Sequence, residues 1–156
     1  MSRFHAEAYV DVSPATAFDI FADASRLPQW FPLARTITAA SGALSAAGTT
    51  YRLRFPGGFH ARCTVMQAER PGVHERTFVL LPFGGHGRAR MEFHPEGRGS
   101  RVVLDGYWTL PLGPIGRLVD RLLKLGPRQA AAEIGCFKPF AERIGVANSQ
   151  GSGIRS

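Results

Sequence analysis

The sequence predicts an α+β fold in which a sheet of seven short antiparallel strands grips one long C-terminal helix, with two short helices after the first strand. Three observations carry this. Residues Phe4 to Val12 alternate strictly between apolar and polar, the period of a strand with one buried face. Six further strand-like segments follow, set apart by turns rich in Gly and Pro. The last third then changes to helical spacing, from about Pro114 to Ile144. A sheet wrapped on one helix suggests a hollow, so the question of function becomes what fills it.

Each element has its own signal. In the first strand Phe4, Ala6, Ala8, Val10 and Val12 alternate with His5, Glu7, Tyr9 and Asp11. Ser13 suits an N-cap, and Pro14 the first helical position, where its missing donor costs nothing. Ala17, Phe18 and Phe21 make one face of a short helix. Leu27-Pro28-Gln29-Trp30 ends a second, since Pro28 disfavours helix at the residue before it. Strands are expected at Arg35–Ala40, Thr49–Phe55, Phe59–Ala68, His74–Leu81, Arg88–His94 and Arg101–Leu110. Connections such as Pro56-Gly57-Gly58 and Arg70-Pro71-Gly72 are short enough to imply an antiparallel meander.

In the final helix Ile115, Leu118, Val119, Leu122, Leu125, Ile134, Phe137, Ala141 and Ile144 form the stripe expected to pack inward. Arg117, Asp120, Arg121 and Lys124 take the opposite side. Gly126-Pro127 should break or kink this helix, and Pro139 should bend it. The domain is expected to span 1–146, with 147–156 a frayed tail.

Composition narrows the function classes. The chain of 156 residues is one domain by length, with 44% hydrophobic and 20% charged residues, a globular balance. No apolar run reaches the ~18 residues that span a bilayer. Met1-Ser2-Arg3-Phe4-His5 lacks the pattern of a signal peptide, so a cytoplasmic location is expected. Net charge is +7, yet the basic residues are scattered, and Arg outnumbers Lys seventeen to two. That bias looks like genomic composition as much as selection for a partner, and nucleic-acid binding is not expected. Cys63 and Cys136 lack any CxxC pairing and read as buried thiols. The five histidines show no metal-binding spacing, so no metal or cofactor is expected.

Alternation also separates the sheet faces. Val102, Leu104, Gly106, Trp108 and Leu110 share an inward set with Ala89, Met91, Phe93, Tyr51, Leu53 and Phe55. Phe59, Ala61, Cys63 and Val65 join it only if the Pro56-Gly57-Gly58 hairpin has an odd loop length. Acids and histidines fall mainly outward, leaving few proton-transfer groups inside and no assigned catalytic residue. Arg76 is the exception: it alternates with Phe78 and Leu80. It is either a surface residue pairing with Glu75 or Glu69, or an inward group that meets a ligand carboxylate.

The order of these pieces resembles the START-like, or SRPBCC, superfamily, a Bet v 1-like helix-grip fold, and especially its polyketide cyclase/dehydrase and lipid-transport branch. The resemblance rests on Val10 to Asp23, Leu27-Pro28-Gln29-Trp30-Phe31-Pro32, Gly48, Gly99 to Leu104, Leu110 to Leu118 and Phe137 to Glu142, within residues 3–145. It implies ligand entry between the final helix and the loops Pro56–Phe59 and Pro82–Gly87, where Phe59 and Phe83 would close over an apolar guest.

The expected function is binding of a small hydrophobic ligand, of lipid, polyketide or aromatic type. Its expected contacts are Trp30, Tyr51, Leu53, Phe55, Phe59, Arg76, Phe78, Phe83, His86, Met91, Phe93, Trp108, Leu118 and Leu122. The alternative is a polyketide cyclase or dehydratase that uses Arg76, Tyr51 and His86. A third reading is an interaction module built on the basic amphipathic segment Gly113–Leu125. Stable membrane insertion is not expected, and oligomeric state is left open.

Overall fold

A computed structural model describes residues 1–152. The chain runs β1 (Ser2–Val10), α1 (Pro14–Phe21), α2 (Leu27–Trp30), β2 (Thr36–Thr38), β3 (Thr50–Arg54), β4 (His60–Glu69), β5 (Val73–Leu81), β6 (Gly85–Glu96), β7 (Gly99–Thr109), α3 (Gly113–Leu123) and α4 (Leu125–Ser152). The strands form one seven-stranded antiparallel sheet in the order β1-β7-β6-β5-β4-β3-β2. Helix α4 lies across it, so the helix-grip arrangement is present.

Local chemistry places the first elements as expected. The Ser13 hydroxyl accepts from the Thr16 backbone N–H at 3.2 Å, and Pro14 occupies the first turn of α1. Five residues, 55–59, join β3 to β4, with Arg54 opposite His60. That odd loop sets Ala61, Cys63 and Val65 on the inner face beside Tyr51 and Leu53. Ala61, Cys63 and Val65 pair in unbroken register with Leu80, Phe78 and Arg76, so these β5 residues turn inward, as does His74. A bulge at Met66 shifts the pairing only beyond them, with Gln67 opposite Glu75.

The inner face divides into two regions. Toward α1, Phe18, Phe21, Trp30, Phe93 and Phe137 pack edge-on or tilted, with several centroids 5.0–5.8 Å apart. Toward the start of α4 the packing opens.

The end of the chain departs from expectation. The helix breaks at Lys124, which takes a left-handed backbone with φ 50°, rather than at Gly126-Pro127. Pro127 falls in the first turn of α4, where it needs no donor. Helix α4 runs to Ser152, and 153–156, part of the tail expected at 147–156, lie outside the described residues. Cys136 is exposed, not buried, because it sits on the solvent side of α4.

The outcome for α3 is reversed. Gly116 and Asp120 face the protein, whereas Ile115, Leu118, Val119 and Leu122 face solvent. The cause is local. Asp120 Oδ1 accepts from the Trp108 indole N–H at 3.1 Å, and Gly116 has no Cβ to strike the Pro111 carbonyl.

Two predictions follow from this packing. A Cβ at Gly106 would collide with the Arg88 carbonyl and the Phe4 ring, and both are fixed by the sheet. Gly106→Ala should lower stability by about 1–3 kcal/mol in urea unfolding, although Gly→Ala stabilises where backbone and space allow. His74 Nε2 lies 2.8 Å from the Leu44 carbonyl, which fixes the tautomer, and its buried Nδ1 has no partner. Burial pushes its pKa down to about 4, with Arg76 lowering it further and the Leu44 bond opposing. The unfolded imidazole titrates near ~6.5, so it takes up its proton first as pH falls. Stability from neutral His74 is therefore complete above ~6.5 and is lost as pH approaches about 4. Urea midpoints of the wild type should drop between ~pH 7 and ~pH 4.5 more than those of His74→Gln, whose amide still offers Leu44 a donor.

Candidate functional site

The open region is a cavity of about 280 Å³ under the first turns of α4. Leu53, Phe55, Phe78 and Leu80 supply the strand wall, and Phe4, Ala89 and Trp108 continue it. Phe31, Pro32 and Leu33, just after α2, form a second side. Leu125, Gly126, Gln129, Ala130 and Glu133 complete it from α4. Gly126 belongs there because a Cβ would lie 3.0 Å from the Trp108 indole nitrogen.

Two charged groups stand in this wall. Arg76 Nη2 donates to Glu133 Oε1 at 2.6 Å, and the two side chains are only 7% and 5% exposed. The guanidinium carbon lies 5.7 Å from the Phe21 ring centroid and 5.5 Å from that of Phe31. Burial opposes its charge, but the Glu133 carboxylate, with smaller contributions from Tyr51 and Cys63, raises its pKa above the ordinary guanidinium value. A guanidinium has five N–H donors, so one bond to Glu133 leaves others available at the cavity wall.

Tyr51 and Cys63 face each other across β3 and β4 beside this pair. Burial pushes the Tyr51 hydroxyl well above its usual value and the Cys63 thiol up to about 11. Both are held neutral near pH 7, which leaves neither as an activated nucleophile or base. Among the described residues, no group of three His, Cys, Asp or Glu side chains is arranged to hold a metal ion.

Of the fourteen expected contacts, Leu53, Phe55, Arg76, Phe78 and Trp108 line the cavity. Trp30, Met91 and Phe93 share the inner side but are enclosed in the solid region, and Tyr51 lies buried behind Cys63. Phe59 and Phe83 stack on each other, centroids 4.9 Å apart, outside the cavity. His86 is exposed near them, and Leu118 and Leu122 point into solvent from α3.

Arg76 pairs with neither Glu75 nor Glu69: Glu75 binds Arg88 and Arg90 on the outer face. The partner missed from the sequence is Glu133. Its signal was present, since Ala130, Ile134, Phe137 and Ala141 give α4 its buried stripe and Glu133 interrupts it. Glu133 thus adds one carboxylate to an interior where acids were expected mainly outward.

A family model described as polyketide cyclase/dehydrase and lipid transport matches residues 1–133. No curated protein matches the chain. A protein from Mesorhizobium loti is similar in structure with a TM-score of 0.68 and 12% identity, over 91% of this chain and 98% of that one. Norcoclaurine synthase from Thalictrum flavum gives 0.65 and 16%, over 89% and 85%. DynU16, from the dynemicin biosynthetic locus, gives 0.57 and 16%, over 83% of this chain. The chain spans only 46% of DynU16, about half its length. At these identities the likeness is one of fold.

Removing one member of the buried pair strands the other. Glu133→Ala should destabilise the protein by about 3–5 kcal/mol in urea unfolding. Arg76→Met combined with Glu133→Leu should recover most of that loss, because apolar replacement of both charges removes the desolvation cost.

Proposed function

The chain belongs to the polyketide cyclase/dehydrase and lipid transport family, and from that premise we propose that it binds one small, mainly apolar molecule beneath α4. The observation that carries this reading is a cavity of about 280 Å³ walled largely by carbon, with one ion pair set into it. An apolar void of ~150 Å³ is enough for benzene. The volume here therefore suits a guest of about two rings, or a comparably compact acyl chain. At ~25 cal/mol per Å², burying ~200 Å² of such a guest gives about 5 kcal/mol before ordering costs.

The ion pair refines the choice of polar end. Glu133 already balances the Arg76 charge, so a guest carboxylate would compete with it and bring net charge into a dry site. A neutral oxygen, as in a phenol or ketone, accepts from Arg76 while the pair stays intact. A pairing of Arg76 with a ligand carboxylate is thus disfavoured.

The alternative reading, a cyclase or dehydratase acting on an aromatic or polyketide intermediate, is favoured by one observation. Glu133 places a carboxylate in the cavity wall. Against it, one oxygen of that carboxylate is already taken by the Arg76 guanidinium rather than left open to a substrate proton.

Fluorescence titration with 2-naphthol and its anionic counterpart 2-naphthoate tests the binding reading. The neutral probe should bind saturably and about tenfold or more tighter than the anion, a difference of ~1.4 kcal/mol. Glu133→Gln should favour naphthoate by a similar factor and leave naphthol nearly unchanged. Failure of naphthol to saturate would sink the binding reading. Unchanged preference in Glu133→Gln would sink the role given to the pair.

A further inference from the structure

Helix α3 faces the wrong way for a helix that only covers a core. Ile115, Leu118, Val119 and Leu122 recur at i, i+3, i+4 and i+7, and all are exposed. Leu122 is 71% exposed, and Leu112 in the turn before the helix is 75% exposed. Such a side chain gains roughly 1.5–3 kcal/mol on full burial, so a continuous unburied stripe marks an interaction surface.

The charges around the stripe identify what it fits. Arg117, Arg121 and Lys124 lie on the side of α3 away from the centre of the stripe, meeting it at Leu118, and none has an acidic partner among the described residues. The one acid of α3, Asp120, is buried and occupied by the Trp108 indole. A groove between α3 and the start of β1 gathers Arg3, Arg117 and Arg121 beside Leu118, with Asp120, held by Trp108, as its one acid. Guanidinium groups converging at an apolar edge match a phospholipid, whose phosphate meets the arginines while its acyl region takes the leucines.

We propose that α3 and this groove dock on an anionic phospholipid surface, with the leucine stripe seated at the headgroup boundary. One further fact favours that occupant. A helix of 11 residues is ~16 Å long, which suits lying in an interface; no helix among the described residues is long and apolar enough to cross a membrane.

The same surface borders the cavity. Leu125 follows α3 directly and lines it, as does Leu33, which is 77% exposed. Docking by α3 turns this side of the cavity toward the bilayer, where an apolar guest dissolves. That last step rests on the binding reading; the docking itself does not.

The test is flotation of the full chain with phosphatidylcholine vesicles that contain about 30% phosphatidylglycerol, compared with phosphatidylcholine alone. Binding is expected to the anionic vesicles at about 50 mM salt and to be lost near ~0.5 M, where screening shortens the Debye length to a few Å. Leu118→Glu with Leu122→Glu, and separately Arg117→Glu with Arg121→Glu, should each weaken it about tenfold or more at unchanged Tm. Arg54→Glu with Arg62→Glu is the control, an equal charge change on the exposed outer sheet face, and should cost less than about threefold. No vesicle binding, equal binding to phosphatidylcholine alone, or an equal loss in the control overturns the proposal. So does a dimer broken by Leu118→Glu, which would assign the stripe to a second copy. Naphthol titration needs no vesicles, so failure of docking and failure of guest binding are told apart.

Discussion

The Arg76–Glu133 pair is the constraint around which the interior is arranged. One member stands on β5 and the other on α4, so the bond ties the sheet to the helix that crosses it. Two charges withdrawn from water need partners as well as carbon around them. Arg76 receives Glu133 and the faces of Phe21 and Phe31. A well-packed apolar pair of the same volume is often as stable or more so. Stability alone is therefore a weak reason for placing these charges in a cavity wall.

Position along each element decides what is core and what is cavity. Ala89, Met91 and Phe93 alternate on one face of β6, yet only Ala89 lines the cavity. Met91 and Phe93 lie toward α1, where Phe18 and Phe21 fill the space. Trp30 is fixed in the same way by Phe21 and Phe137, so its neighbour Phe31 meets the cavity instead. The solid region is built from rings that interlock. The open region lies where α4 begins, beside a helix break and a glycine.

These distinctions explain what was legible in the sequence. Period-two alternation states which way a side chain points, and it placed the inner faces of β1, β3, β6 and β7 correctly. It does not state how far along the strand a neighbour ends, so Trp30, Met91 and Phe93 were expected at a cavity they stand behind. The face of Arg76 followed from the five-residue loop before β4 and the unbroken pairing of Ala61, Cys63 and Val65 with Leu80, Phe78 and Arg76, both settled by tertiary pairing. Glu133 was visible as an acid within an apolar stripe, but its partner lies 57 residues earlier. For α3 the stripe was visible and its direction was not. Periodicity alone cannot tell an apolar face turned to the core from one turned to solvent.

That reversal carries the last step. Helix α3 is held by few devices, chief among them the hydrogen bond from Trp108 to Asp120 and the close approach at Gly116. Trp108 is also a wall of the cavity, and Gly126 packs against its indole. A guest pressing on that indole and a surface drawing on α3, were both to bind as proposed, would act through one side chain. Coupling between two such sites is reciprocal: if occupancy shifts the position of α3, docking of α3 shifts the affinity for the guest by the same factor. The hydrogen bond fixes the register between helix and indole, and beside the chain link through Lys124 to Leu125 it is one route by which such coupling would pass.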